Sequence, residues 1–307
     1  MKGQYMVSKS TMDRMGALYQ KSFPIIILLP SLIIGGIVLV YPLINGVLLS
    51  FTNYTTYIPE YNWIGIKNFI HLFKDPIYWE VIFNSIFIVF LSVFVQASFG
   101  LIISILLNSD VPFRGVFRSL IFIIWIVPMI VISLLWMIIF NSEFGILNYV
   151  LVKLGLIDEN IYWLGQPWPA KFALIITYGW RGIPFFMVML LAALQTIPQD
   201  IIDASKIDGA TNIKRFRFIT VPFIKHILLL SCLLSTVRLF QDITLIYILT
   251  NGGPMYSTTT LAIHVYKEAF TSMFIGKAAA IGVTWLIILF TLAGFYVRMV
   301  TRTAFRK

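Results

Sequence analysis

The chain has 307 residues, of which 59% are hydrophobic and 12% charged, whereas a soluble domain carries about 25% charged residues; this excludes a soluble globular protein and places the chain in a bilayer. The single cysteine, Cys232, excludes an internal disulfide framework, and His71, His226 and His264 lie far apart without a ligand partner one helical turn away, so no metal site is visible. A net charge of +10 would suit nucleic acid, but in a membrane chain it has first to be tested against topology.

Met1 to Ser22 carries Lys2, Lys9, Arg14 and Lys21 against Asp13 and reads as a cytoplasmic tail, residues 1–22. From Ser22 to Pro59 there is no charge, a run longer than the roughly 20 residues that cross a bilayer and too long for a signal-peptide core. A retained first span at 23–51 is expected, with Pro30, Gly35, Gly36 and Pro42 as candidate kinks. Glu60 to Asp75 reads as a loop with Tyr61 and Trp63 at the interface. The second span is expected at 81–109. At about 100° per residue its Ser85, Ser92 and Gln96 share one face, which must meet protein or water, through interhelical hydrogen bonds or through substrate.

A basic turn from Asp110 to Arg118 leads to a third span at 116–141 with Pro128 inside it, then to an external segment from Gly145 to Pro169. The fourth span, 170–195, is interrupted by Arg181, whose long stem is expected to snorkel to the outer interface, the alternative being a sugar ligand. The fifth, 224–250, is the most polar. Ser231, Ser235, Arg238 and Asp242 fall on one face, and an ionised side chain at a span's centre costs about 2.5–3.5 kcal/mol, so Arg238 and Asp242 are expected to neutralise one another across a turn. Asn251-Gly252-Gly253-Pro254 forms a turn. The sixth span, 277–298, precedes a short basic tail, 301–307.

Between the fourth and fifth spans, residues 196–222 read as two short helices joined at Gly209. Thr196 and Gln199 have the spacing of a capping box, and Pro198 suits a first turn. Ile201, Ala204 and Ser205 form a narrow face of mostly small side chains. Asp208-Gly209 ends the first helix. Thr211 caps a second in which Ile213, Phe216 and Ile219 share a face, and Pro222 marks the next boundary. The fold class is an all-α integral membrane protein with six transmembrane helices. With both ends inside, fifteen of the 23 Lys and Arg fall on the inner side and six on the outer, while Arg181 and Arg238 lie within spans. This asymmetry accounts for the basic balance without nucleic acid.

The run Asp203-Ala204-Ser205-x-x-Asp208-Gly209-Ala210, followed by Phe216, Ile219 and Pro222, resembles the E-A-A-x-x-D-G-A motif of ABC importer permeases. Asp203 replaces the usual Glu, which keeps the charge and shortens its reach; Ser205 replaces the second Ala, and His226 a frequent later Pro. The segments W-I-G-I-K-N-F, R-S-L-I-F-I-I-W-I-V-P, L-W-M-I-I-F-N-S-E-F-G-I-L-N-Y and L-I-Y-I-L-T-N-G-G-P, the last preceded by Phe240 and Asp242, resemble the carbohydrate-uptake, maltose-type branch.

The resemblance implies the type I importer permease fold in a plasma membrane, with the hairpin as a coupling helix in a cleft of an ATPase. Asp203, Ala204, Ser205, Asp208, Gly209, Ala210, Phe216 and Pro222 then couple to that ATPase. The implied partners are a second homologous permease, two cytoplasmic ATPase subunits, an extracytoplasmic solute-binding protein and a sugar or oligosaccharide. With no G-x-x-x-x-G-K-[ST] loop in the chain, ATP and Mg are expected on the partner ATPase, and the chain is expected to be neither an enzyme nor a cofactor carrier. Gln96, Trp180, Arg238, Gln241, Asp242 and Tyr247 supply the hydrogen-bonding groups and aromatic faces a sugar path needs. The rival class is a proton-coupled secondary transporter using Arg238 and Asp242 as a relay; a third is a scaffold without transport.

Overall fold

The computed structural model describes residues 27–304 except 59 and 110, with side chains to 299. The expected N-terminal tail and the last residues of the basic C-terminal tail lie outside the described residues. The first apolar run forms α1 (Ile27–Leu49), whose most apolar stretch buries nothing against the rest of the chain. Pro42 cannot donate to the Val38 carbonyl, and its ring would strike it. The helix answers with one wide π turn, Gly36–Val40, closed by the Tyr41 N–H onto the Gly36 carbonyl.

The segment expected as a loop before the second span instead contains α2 (Lys67–Lys74). It is amphipathic, with Leu72 buried, and Asn68 Nδ2 ties it to the carbonyls of Ser50 and Thr52 at 2.9 and 2.8 Å. The carboxylate of Asp75 accepts from the Ile77 N–H at 2.9 Å and starts α3 (Pro76–Asn108). The helix therefore begins before the uncharged run does, because Glu80 is a good helix former and does not end it.

The third span is not one helix. It divides into α4 (Arg114–Ile126) and α5 (Met129–Ile139), bent by 95°. Pro128 has no N–H and forces the residue before it out of the helical region; Val127 is extended at φ −61°, ψ 132°. The external segment carries α6 (Ile146–Lys153), where buried Asn148 accepts from Trp163 Nε1 at 2.9 Å and donates to the Ile161 carbonyl at 3.0 Å.

The fourth span, α7 (Pro167–Leu194), runs unbroken through Arg181, correcting the expected interruption. Arginine is a good helix former, and a polar side chain alone breaks nothing. The hairpin begins with α8 (Gln199–Ile207). Its second helix continues straight into the fifth span as α9 (Asn212–Gln241), so Pro222 marks no boundary. A π turn, Phe216–Thr220, precedes Pro222 as one precedes Pro42, and frees the ring from the carbonyl it would meet.

The fifth span ends earlier than residue 250, at Asp242, whose backbone is extended at φ −74°, ψ 125°. A short α10 (Thr244–Leu249) follows, then α11 (Leu261–Tyr266) and α12 (Ile275–Ala304). The fold is all-α; among the described residues no named strand occurs, only two isolated bridges. Among the described residues five helices are long and apolar enough to cross a membrane, six if the bent pair is one span.

The core lies where α3 and α7 cross, with α9 and α10 packed on them. The crossing is close because glycines line it. A Cβ on Gly182 would press into the Gln96 side chain, and one on Gly179 would sit 2.6 Å from Val95 Cγ1. A Cβ on Gly100 would press into Phe186 Cβ and lie 3.1 Å from the Met187 backbone nitrogen. Gly100→Ala is therefore expected to cost about 1–3 kcal/mol through overpacking, read as earlier thermal loss of the purified protein. An unchanged midpoint would show that the two helices separate freely.

Candidate functional site

The hairpin and a charged cluster inside the bundle hold most of the residues that the sequence singled out. In the hairpin, the Ala210 N–H donates to the Ser205 carbonyl at 2.9 Å and the Gly209 N–H to the Lys206 carbonyl at 3.0 Å. This double closure is a Schellman cap, with Gly209 at φ +73°. The capping box expected at the other end is absent: the N-cap is Pro198. Thr196 Oγ1 donates back to the Ala193 carbonyl at 2.8 Å, and Gln199 Nε2 donates to Asp203 Oδ1 at 3.1 Å. Ala193 of α7 and Asp203 of α8 thus claim the groups the box would need.

Thr211 does cap the second helix, accepting from the Lys214 N–H at 3.4 Å. Thr211→Ala should cost about 1 kcal/mol, seen as faster hydrogen exchange at residues 209–215 alone. Uniformly faster exchange across the bundle would contradict a local role.

The exposed side of the hairpin carries Asp203, Ala204, Asp208 and Gly209. Two large apolar residues stand out beside them, Ile207 at 88% and Ile213 at 79% exposure. Sequence reasoning passed over Ile207; a lone isoleucine next to the helix-ending Asp-Gly was the signal available. Ile213 was placed on a shared face with Phe216 and Ile219, but those two line a cleft of about 590 Å³ beneath the hairpin. Ser205 is buried at its edge, so the expected small-residue face is divided, Ser205 inward and Ala204 outward. Asp203 is fully exposed; its carboxyl is held below the usual carboxylate range first by the hydrogen bond from Lys206 Nζ at 2.7 Å and then by that from Gln199.

Inside the bundle, the polar face of α3 is buried as expected. Gln96 Nε2 donates to the Tyr178 carbonyl of α7 at 2.9 Å, and Gln96 Oε1 accepts from Ser235 Oγ of α9 at 2.5 Å. Gln96 is fully buried, and its hydrogen bonds brace three helices. Ser85 Oγ accepts from the Leu261 N–H at 2.8 Å and holds the start of α11.

The paired Arg238 and Asp242 expected one turn apart do not form an ion pair. Because α9 stops at Gln241, Asp242 leaves the helical face that carries Arg238. Its Oδ1 accepts from Tyr178 Oη at 3.2 Å and from the Leu245 N–H at 3.1 Å, starting α10. Arg238 lies with its guanidinium carbon 5.9 Å from the Phe185 ring centroid. Arg181 does not snorkel either. It sits fourteen residues after Pro167 and thirteen before Leu194, midway along α7. Its Nη2 turns inward to the Val127 carbonyl at 3.5 Å, at the break between α4 and α5. Tyr178 and Arg181 lie three residues apart on α7, so the Tyr178 hydrogen bond brings Asp242 to the Arg181 side of that helix.

Trp180 stacks edge-on against Trp136 of α5, centroids 5.7 Å apart, so Trp180 and Arg181 both meet the broken span. The structure thus gathers Arg181, Arg238, Asp242 and Tyr178, with Trp180 adjoining. It sets the other three candidates apart, Gln96 being buried in the hydrogen bonds that brace three helices. Gln241 lines an apolar cleft with Gly46 and Ala278 between α1 and α12. Tyr247 packs edge-on to Tyr266 at 5.6 Å and lines a polar cavity of about 660 Å³ with Asn251 and Lys267.

Residues 96–306, which include the hairpin and this cluster, match the family described as binding-protein-dependent transport system inner membrane component. The chain belongs to this family. As one of these permeases it is 32% identical over 268 residues to the trehalose/maltose transport system permease protein MalF of Thermococcus litoralis, covering 87% of this chain and 90% of that one. It is 31% identical over 278 residues to the sulfoquinovosyl glycerol transport system permease protein SmoG of Agrobacterium fabrum, covering 90% and 89%. Its fold is that of a bacterial ABC transporter involved in alginate import, with a TM-score of 0.80 at 20% identity over 96% of this chain and 100% of that one. The permease is accordingly of the carbohydrate-uptake ABC type, as its loop segments suggested.

Proposed function

We propose that this permease forms one half of the membrane path of an ATP-driven importer and receives a sugar or oligosaccharide from an external binding protein. The observation that carries the reading is the hairpin. A rigidly capped turn between two spans presents Asp203, Ala204, Ile207 and Asp208 outward, where another protein surface can seat. That partner is a cytoplasmic ATPase, present twice, and the ATP and Mg belong to it. A second homologous permease covers the half-exposed face that holds Arg181, Arg238 and Asp242. The excess of Lys and Arg at the hairpin and both ends supports a cytoplasmic location for those parts.

The relatives' names support the carbohydrate class: trehalose/maltose and lactose among curated permeases, and an alginate transporter solved with an oligosaccharide-bound periplasmic protein. Asp242 engaged by Tyr178 and Leu245 supports this reading over a proton relay with Arg238. Affinity purification of the permease from its own membranes tests it, with uptake then measured in proteoliposomes of the recovered complex. An ATPase should copurify and uptake should require ATP inside. Uptake that ignores ATP and follows an imposed proton gradient would overturn the proposal.

A further inference from the structure

The cluster around Asp242 does not balance its charge. Tyr178, Arg181 and Phe185 share one face of α7, so the hydrogen bond from Tyr178 to Asp242 and the contact of Arg238 with Phe185 bring both arginines to the neighbourhood of one carboxylate. Among the described residues the ion pairs are Lys206–Asp203 and Lys277–Glu268, far from this cluster. One oxygen of Asp242, Oδ1, is engaged by two neutral donors, Tyr178 Oη and the Leu245 N–H. Two guanidiniums therefore face one carboxylate, leaving a surplus of one positive charge near the middle of a span, where an uncompensated cation is costly.

Their donors are also underused. A guanidinium carries five N–H groups. Arg181 places one at 3.5 Å from the Val127 carbonyl, and its Nε is buried without a partner. Arg238 makes no hydrogen bond among the described residues and rests against the Phe185 ring. Both side chains are only partly buried, on the face turned toward the second permease proposed above, where a translocation path would run between the two. Planar forks of this kind match an oxyanion with two acceptor oxygens. The half-buried Trp180 beside Arg181 adds an aromatic surface for the C–H side of a sugar.

Resting on the importer function proposed above, we infer that the carbohydrate carried by this permease is a sugar acid, with its carboxylate held by Arg181 and Arg238. Asp242 then sets the strength of that grip: it leaves one positive charge for one negative group, so the loaded site is neutral. A neutral sugar would leave the surplus charge uncompensated at the same depth.

The test is equilibrium binding without ATP. The purified complex in nanodiscs is titrated with a panel of uronate-containing disaccharides and their neutral twins, in which a hydroxymethyl group replaces the carboxylate, following tryptophan fluorescence. One charge-assisted hydrogen bond is worth about tenfold or more in affinity, so at least one uronate should outbind its twin by that factor. Arg181→Gln should bring the pair to near equality. If that variant fails to assemble, the comparison of twins on the unmodified complex still decides. A panel in which no uronate outbinds its twin, whether both bind or neither does, overturns the inference, as it would if the partner permease supplied the missing negative charge. Failure of the importer reading would look different: uptake would not depend on ATP, while these ATP-free affinities would stand.

Discussion

Gly209→Val is expected to lower ATP-driven uptake by about tenfold or more while the protein still inserts and assembles. The reason is local. Gly209 stands at φ +73°, and nothing lies within 4 Å of where its Cβ would be, so the substitution meets no steric obstacle from neighbours. What it meets is the backbone: a β-branched residue in the left-handed region costs on the order of 1–3 kcal/mol. The hairpin escapes that cost by opening the Schellman cap, which releases the Gly209 and Ala210 N–H groups and lets α8 rotate away from α9. No spanning helix is touched. Gly209→Asn separates conformation from side-chain bulk, since asparagine tolerates this backbone better than valine, and it should recover much of the uptake. Normal ATP-driven uptake by the valine variant would remove the hairpin from the coupling path.

The turn at Gly209 was legible in sequence because its cause is local: an Asp-Gly pair after a helical face, then Thr211 three residues before the N–H it caps. The same holds for the polar face of α3, where a 3.6-residue period placed Ser85, Ser92 and Gln96 together. What was not legible depended on partners distant in sequence or on where a helix stops. Residues 224–250 have no proline or glycine to end a helix at 242, so the spacing of Arg238 and Asp242 looked like one turn of a continuous span. The stop is made by the Asp242 side chain, which turns to the N–H of Leu245, and by Tyr178 from another helix. Arg181 was misplaced for a related reason. Hydropathy sees a charge in a span and sends it to the interface, but the carbonyl at Val127 exists only because Pro128 breaks the neighbouring span. Pro128 was visible; a break of 95° was not. Conversely, Pro42 and Pro222 looked like kinks or boundaries, yet a π turn absorbs each within a continuous helix.

Asp242→Asn is expected to lower uptake per assembled complex by about tenfold or more, and to lower the amount of complex by less. Asparagine keeps a carbonyl oxygen for the Tyr178 hydroxyl and the Leu245 N–H, so the start of α10 survives and only the charge is lost. Two guanidiniums then stand without a carboxylate. Removing one partner of a buried charge pair costs about 3–5 kcal/mol, and the partial exposure of Asp242 brings the value toward the lower end. The rescue pattern distinguishes the observed cluster from a simple helical pair. If Arg238 and Asp242 were mutual partners, Arg238→Met with Asp242→Leu would restore assembly. In the observed arrangement that double variant carries the same surplus charge as the unmodified protein but strips the Tyr178 hydroxyl and the Leu245 N–H of their acceptor, so assembly stays low. Arg181→Met with Asp242→Asn keeps the acceptor and leaves a single arginine, the same surplus charge as the unmodified protein. It should assemble normally and still fail to transport, because the guanidinium that meets the broken span is gone. Should the first double variant assemble like the unmodified protein and the second not, Arg238 rather than Arg181 is the partner that governs Asp242.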